Sequence, residues 1–339
     1  MENALAPFTR SSYSTAWSSF TNFCEQNRIS YTSYNLQLLL AFIAHLRLSL
    51  RLAPFSIRCY LAGIQYQFRL QSIPSPLLSS VPEIRLTLRG MEKSLPPSSP
   101  SRQPISTDLL LHLIIALRQG CFNPFDDIVM ETLCLIAFFG FLRCSEFSTP
   151  STSSFPALGL KRSDLSQIPG NHFILHIRSS KTDQLSQGQF VQFSKINSPL
   201  CPSSALSKYL ACRIPCLPSD PLFIDSSRSI VTRHWFSSHL STLLSRIGLS
   251  SNYFSPHSFR IGAATSAARA GINQHLIKSM GRWTSSAVEL YIRSSSADIA
   301  TAHQALVSLP RVGGALSARP TRGFLPVGGV FPLHSADGS

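Results

Sequence analysis

The chain has 339 residues, 44% of them apolar, so it can bury a sizeable core, and at roughly 100–200 residues per domain the length points to two domains. The start, MENALAPFTRSS, has neither the basic nor the apolar stretch of a signal peptide. The longest apolar runs, such as Leu133 to Leu142, fall far short of the roughly 18 residues a membrane span needs, so the sequence reads as a soluble protein. Net charge is +14, with 30 Lys and Arg against 16 Asp and Glu. Of those 30 basic residues 24 are Arg, whose planar fork suits bidentate phosphate contact. Such an excess without long charge blocks fits a folded surface that follows a polyanion, although charge alone names no partner.

In chain order, residues 10–93 are predicted to be helical. Trp17, Phe20, Phe23 and Cys24 recur at spacings of three and four, Leu36 to Leu50 is apolar and periodic, and Pro54 to Tyr66 suggests another helix. Leu95-Pro96-Pro97-Ser98-Ser99-Pro100-Ser101 then breaks all periodicity and marks a linker, placed at 96–104. Ser106 or Thr107 can cap a helix through Leu117, and a strongly apolar helix is expected from about Asp126 to Phe147. Residues 172–194 change to period two. Phe173, Leu175 and Ile177 alternate with His172, Ile174 and His176, which predicts a β-hairpin with its loop at Ser179 to Gln187. Helices return from Pro202, and residues 309–339, rich in Gly and Pro, are expected to have little fixed structure.

The eight cysteines lie mostly in apolar settings and form no CxxC pair. Cys201, Cys212 and Cys216 are close together, but no His follows at zinc-finger spacing, so reduced, buried thiols are expected rather than a metal site.

The most informative stretch is Ser255-Pro256-His257-Ser258-Phe259-Arg260. Ser255 suits an N-cap, Pro256 the first helical position and Gly271 the stop. His257 then sits in the first turn with Arg260 on the same face, where backbone N–H groups already favour an anion. A phosphate clamp and an ordinary helix start with a salt bridge fit that stretch equally well. Arg143 ends an apolar helix, and a buried guanidinium needs a partner, which Glu146 one turn on can supply. That pair can be purely structural, or Glu146 can orient Arg143 toward a substrate phosphate. Lys181 lies at the tip of the predicted hairpin; alone it reads as a solvated turn lysine. Thr284 to Ser286 can cap a further helix after Trp283, with Ser286 and Glu289 as a capping box, which puts Tyr291 in its second turn, a spacing at which an aromatic is more often core than catalyst. Tyr291 is the one tyrosine downstream of His257 and Arg260.

Taken in order, Arg143, Lys181, His257, Arg260, Trp283 and Tyr291 resemble the Arg–Lys–His-x-x-Arg–His/Trp–Tyr signature of tyrosine recombinases. Gly140-Phe141-Leu142-Arg143-Cys144-Ser145-Glu146 is similar to the family's first arginine box. Gly281-Arg282-Trp283 with Tyr291-Ile292-Arg293 most resembles recombinases of eukaryotic mobile elements of the DIRS or Crypton kind. The resemblance covers about residues 105–300. It departs in having Trp rather than His at the sixth position and an interval of eight residues from Trp283 to Tyr291.

The resemblance implies a mainly α fold with a small antiparallel sheet: a helical core-binding domain at 1–95 and a catalytic domain at 105–308. It implies an enzyme that cuts and rejoins double-stranded DNA through a 3′-phosphotyrosyl link on Tyr291, assembles as a tetramer on DNA and works in the nucleus. Arg143, Arg260, His257 and Trp283 would hold the phosphate, Lys181 would protonate the departing 5′ oxygen and Glu146 would support Arg143. Neither cofactor nor metal is implied, nor a small-molecule substrate or a membrane. Two other readings share the chemistry or the fold: a relaxing enzyme like the type IB topoisomerases, and a DNA-binding protein that no longer turns over.

Overall fold

The computed structural model describes residue 5, residues 7–94, 102–178 and 187–283, and residues 288, 289, 291 and 292. All of these fall within one compact unit, Met1–Arg293, which contains two separate apolar cores.

The first core is built by four helices, α1 (Pro7–Gln26), α2 (Leu36–Leu48), α3 (Pro54–Leu70) and α4 (Pro82–Lys93). Apolar residues three or four apart close it: Phe20 and Cys24 on α1, Leu39 and Ile43 on α2, Ile57, Leu61 and Ile64 on α3, and Ile84 and Leu88 on α4 are all buried. Asn35 caps α2 by accepting from the Leu38 N–H at 3.1 Å, and Pro54 and Pro82 open α3 and α4, where a missing N–H costs nothing.

The second core is centred on α6 (Pro124–Phe139), which is buried nearly all round: its second half, Leu133 to Phe138, is apolar without a break, and the buried acids of its first half are hydrogen-bonded or ion-paired. Around it lie α5 (Thr107–Arg118), α8 (Pro202–Cys212), α9 (Arg233–Arg246) and α10 (His257–Arg269). The Ser106 hydroxyl caps α5 by accepting from Leu109 N–H at 3.2 Å. The short helices α7 (Cys144–Phe147) and α11 (Gln274–Met280) complete the set. No helix among the described residues is long and apolar enough to cross a membrane.

The helix expected over 126–147 is two helices. At the end of α6, Leu142 N–H bonds to the Ala137 carbonyl at 2.9 Å and Phe141 N–H to Phe138 at 3.1 Å, the paired bonds of a Schellman stop. Phe141 takes the left-handed position (φ 49°) that glycine usually fills. Gly140, one residue earlier, is needed for space: a β-carbon there would sit 2.7 Å from the Ile136 carbonyl and 2.9 Å from the Phe193 ring. The break turns the backbone so that Arg143 (φ −80°, ψ 147°) precedes α7 as its N-cap instead of continuing α6.

The sheet has three antiparallel strands in the order β1 (Leu165–Ile168), β2 (His172–Ile177) and β3 (Gln189–Phe193). Phe173, Leu175 and Ile177 are buried, so the hairpin's alternation holds, and Phe173 pairs with Phe193 across the register. β1 was not expected; its Leu-Ser-Gln-Ile is too short to carry a period-two signal. The hairpin tip with Lys181, the stretch 95–101, the helix start at 284–287 and everything from 293 on lie outside the described residues.

The last residues of the expected linker, 102–104, are not a free connection. Gln103 N–H bonds to the Tyr253 carbonyl at 2.7 Å and Ile105 N–H to Ser258 at 3.0 Å, so this extended strap lies along α10 with Ile105 fully buried. It fits only because residue 262 is glycine: a β-carbon there would overlap the Ile105 carbonyl oxygen. All eight cysteines are free thiols, but Cys59 and Cys212 are exposed and only Cys24, Cys134 and Cys201 are buried, so the expectation of buried thiols is corrected at those two positions. Among the described residues no group of three or more His, Cys, Asp or Glu is gathered to hold a metal ion.

Candidate active site

α10 begins differently from the sequence expectation. Pro256 is already helical, but the Ser255 hydroxyl caps nothing and is buried without a hydrogen-bond partner among the described residues. Instead the Ser258 hydroxyl accepts from the Ser255 N–H at 3.1 Å. At the other end Gly271 (φ 74°) closes the helix with a Schellman pair, Gly271 N–H to Ala268 at 3.0 Å and Ile272 N–H to Ala267 at 3.1 Å.

A cleft of about 910 Å³ opens beside this helix start. Four of the expected residues line it: Arg143, His257, Trp283 and Tyr291. The Tyr291 ring centre lies 5.2 Å from that of His257 and 5.0 Å from that of Trp283. Tyr291 is held by its backbone, whose carbonyl accepts from Thr265 Oγ1 at 3.0 Å and whose N–H bonds to Val288 at 2.9 Å. The Trp283 indole N–H is buried with no partner among the described residues, so it is a donor awaiting an acceptor.

Arg260 is placed otherwise. It is completely buried, beneath the aromatic wall, with its guanidinium carbon 4.3 Å from the Trp283 ring centre and 5.7 Å from that of Tyr291. Its Nη1 donates to the Phe141 carbonyl and its Nη2 to that of Gly281. The bidentate fork expected to face a phosphate is therefore held by two carbonyls in this structure. Burial, reinforced by Arg143, lowers its pKa below the usual arginine range.

Glu146 is bonded to Arg143 as expected. Its carboxylate is 1% exposed and accepts from Arg143 Nη1 at 2.9 Å and from the Arg143 N–H at 2.9 Å. The same carboxylate accepts from Arg282 Nη2 at 2.7 Å, a residue the sequence reading quoted only as part of a motif. Two further cationic residues of the cleft were not anticipated, Arg102 on the strap and Arg233 at the start of α9; both are exposed. Neither carries a local signal, since each is a lone Arg that completes no motif in its own stretch of sequence.

The electrostatics are one-sided. Among the described residues no Asp or Glu lines the cleft, while three arginines do. The pKa of His257 is pushed down from 6.5 to about 4, by burial first and then by Arg260, Arg102 and Arg143. At neutral pH its imidazole is uncharged and able either to accept a proton or to donate a hydrogen bond.

No protein-family model matches the sequence, and no curated protein matches it. Solved structures do match in fold. The XerH site-specific recombinase bound to palindromic difH substrate superposes with a TM-score of 0.64 at 14% identity, over 88% of this chain and 80% of that one. The Tn1549 transposon integrase in complex with transposon right end DNA gives 0.60 at 14% identity, over 87% and 93%. A lambda integrase dimer bound to a COC' core site gives 0.55 at 13%, over 85% and 72%. The chain has the fold of the tyrosine recombinases, mainly helical with a small antiparallel sheet.

Proposed function

We propose that the protein cleaves and rejoins double-stranded DNA through a covalent bond from Tyr291 to a backbone phosphate. The observation that carries this is the meeting of Tyr291, His257, Trp283 and Arg143 in one cleft whose described lining holds no acid, though their numbers span 148 positions. A phenol attacking a phosphodiester builds negative charge on the non-bridging oxygens, and fixed cations stabilise it without reorganising. Arg143 is the guanidinium at the cleft wall, Arg260 acts from beneath, and the indole N–H of Trp283, without a partner among the described residues, supplies a further donor. Neutral His257 takes the phenolic proton or donates to the phosphate. The bond from phosphorus to the 5′ oxygen breaks, with Lys181 as the acid, and the phosphotyrosyl link conserves its energy for resealing.

In this reading residues 1–95 form a helical module that clamps the opposite face of the duplex, and residues 105–308 are the catalytic domain. Copies assemble as a tetramer on DNA and exchange strands. The mobile-element motif context further suggests integration of such an element, or a host-recruited copy, working in the nucleus. One observation favours the rival reading of a DNA-binding protein without turnover: both Arg260 Nη atoms are already engaged by carbonyls.

A duplex carrying a nick that frees a short 5′ fragment traps any covalent adduct, which separates these readings. Wild-type protein should form the adduct and Tyr291→Phe should not, while binding uncleaved duplex with near-normal affinity. Adduct persisting in Tyr291→Phe refutes the nucleophile; no adduct from wild-type protein on any duplex leaves the binder.

A further inference from the structure

Beneath the cleft wall, two guanidinium groups share one carboxylate and a third is linked to them through a backbone carbonyl. Glu146 Oε1 takes Arg143 Nη1 at 2.9 Å, and Oε2 takes both the Arg143 N–H at 2.9 Å and Arg282 Nη2 at 2.7 Å. Arg260 joins through the Phe141 carbonyl, which also accepts from Arg282 Nη2 at 3.5 Å, and Arg282 Nη1 donates to the Gly140 carbonyl at 2.9 Å. Three cations against one anion leave a net charge of two positive units. The side chains of Arg282 and Glu146 are 6% and 1% exposed, so water screens little of it.

That surplus has a chemical counterpart. A phosphodiester carries one negative charge, and its five-coordinate state after attack by a phenolate carries two. A cluster of two net positive charges therefore matches the reacting state better than the resting one, which is the condition for catalysis by differential binding. Without Arg282, Glu146 would cancel one of the two remaining guanidinium groups and hold Arg143 more tightly in an internal pair. Arg282 also reaches this place by backbone geometry: it stands in the left-handed region (φ 56°) directly before Trp283, so one turn sets the carboxylate's third donor and the indole of the cleft wall.

We infer that Arg282 is a positioning residue for the phosphate site: by occupying the second oxygen of Glu146 it frees Arg143 to face the phosphate and keeps the buried cluster doubly positive. The inference rests on the reading of the cleft as a phosphate site. Arg282 itself does not line the cleft and is not placed in contact with DNA.

The test compares Arg282→Met, Arg282→Lys and the double variant Arg282→Met with Glu146→Gln. By analogy with residues that orient catalytic ligands, Arg282→Met should slow single-turnover adduct formation by about 10- to 100-fold, with duplex affinity within about threefold of wild type. The double variant, which removes the uncompensated carboxylate as well, should recover most of that loss. A structural role for Arg282 predicts the opposite, because losing two partners of the same turn adds damage. A double variant as slow as the single one, or Arg282→Met at wild-type rate, overturns the inference. Should Arg282→Met not fold, Arg282→Lys decides: it keeps the charge and should stay within about tenfold of wild type, whereas a loss like that of a removed phosphate donor, about 100-fold or more, counts against a charge role. Titration with inorganic phosphate in the absence of DNA separates this from failure of the function itself. Phosphate affinity should fall in Arg282→Met and return in the double variant even if no duplex is ever cleaved, and unchanged affinity across the three proteins refutes the role of Arg282 alone.

Discussion

The guanidinium carbon of Arg260 lies 4.3 Å from the centre of the Trp283 ring, so the aromatic that walls the cleft is also the lid over its most buried cation. A contact of this kind is worth about 2 kcal/mol when desolvated. Trp283 thus has two separable duties, covering Arg260 and offering its indole N–H. Trp283→His keeps a donor on a smaller ring, and Trp283→Phe keeps a covering ring without a donor. Adduct formation should fall about tenfold in the first and about 100-fold in the second, the usual cost of one lost donor to a developing oxyanion. Equal rates in the two variants would assign Trp283 to packing alone.

His257 makes stability depend on pH. Its folded pKa, about 4, lies below the ordinary 6.5, so between those values the unfolded chain binds more protons than the folded one. Stability then rises with pH across this window and is lost as pH falls from about 6.5 toward 4. Urea unfolding of wild type and His257→Gln at pH 4.5 and 7 measures this: the variant should lose less stability on acidification. Identical losses, or an NMR midpoint for His257 near 6.5, would contradict the burial and charge assigned to it.

Arg102 and Arg233 are exposed cleft arginines outside the six expected residues. As contacts to phosphates beside the reacting one, each changed to Ala should weaken duplex binding about equally on any sequence and reduce the salt slope by about one. At saturating duplex the adduct rate should stay near wild type. Unchanged slopes would place the DNA elsewhere.

At Gly262 the strap's backbone crosses α10 so closely that a β-carbon would overlap it. Gly262→Ala forces its methyl group into the Ile105 carbonyl, an overpacking that should cost about 3 kcal/mol or more and lower the unfolding midpoint accordingly. A midpoint unchanged by the substitution would mean the strap is not seated on the helix.

What the sequence disclosed and what it withheld divide along physical lines. The alternation in 172–177 was legible because one face of a strand is buried and the other is not. His257 and Arg260 could be assigned to one helix face from a three-residue spacing, yet the depth of Arg260 could not, since spacing fixes direction around a helix and not what later packs over it. The break after Phe139 was missed because a left-handed Phe141 is rare and Gly140 serves space rather than turning. Arg282 stood in a quoted motif, but nothing in the sequence pointed to its role. Its partner Glu146 lies 136 positions away, and a lone arginine in a turn has no period to reveal it.

The strap of residues 102–105 also bears on where the chain can be divided. A boundary drawn by helices would fall at Thr107, the first residue of α5, and would discard it. That cut would strip Ile105 from the core, empty the backbone-wide channel over Gly262 and delete Arg102 from the cleft, although every helix of the second core would still be present. A fragment beginning before residue 102 keeps its own closing edge, and one beginning at 107 starts with an open seam along the helix that bears His257.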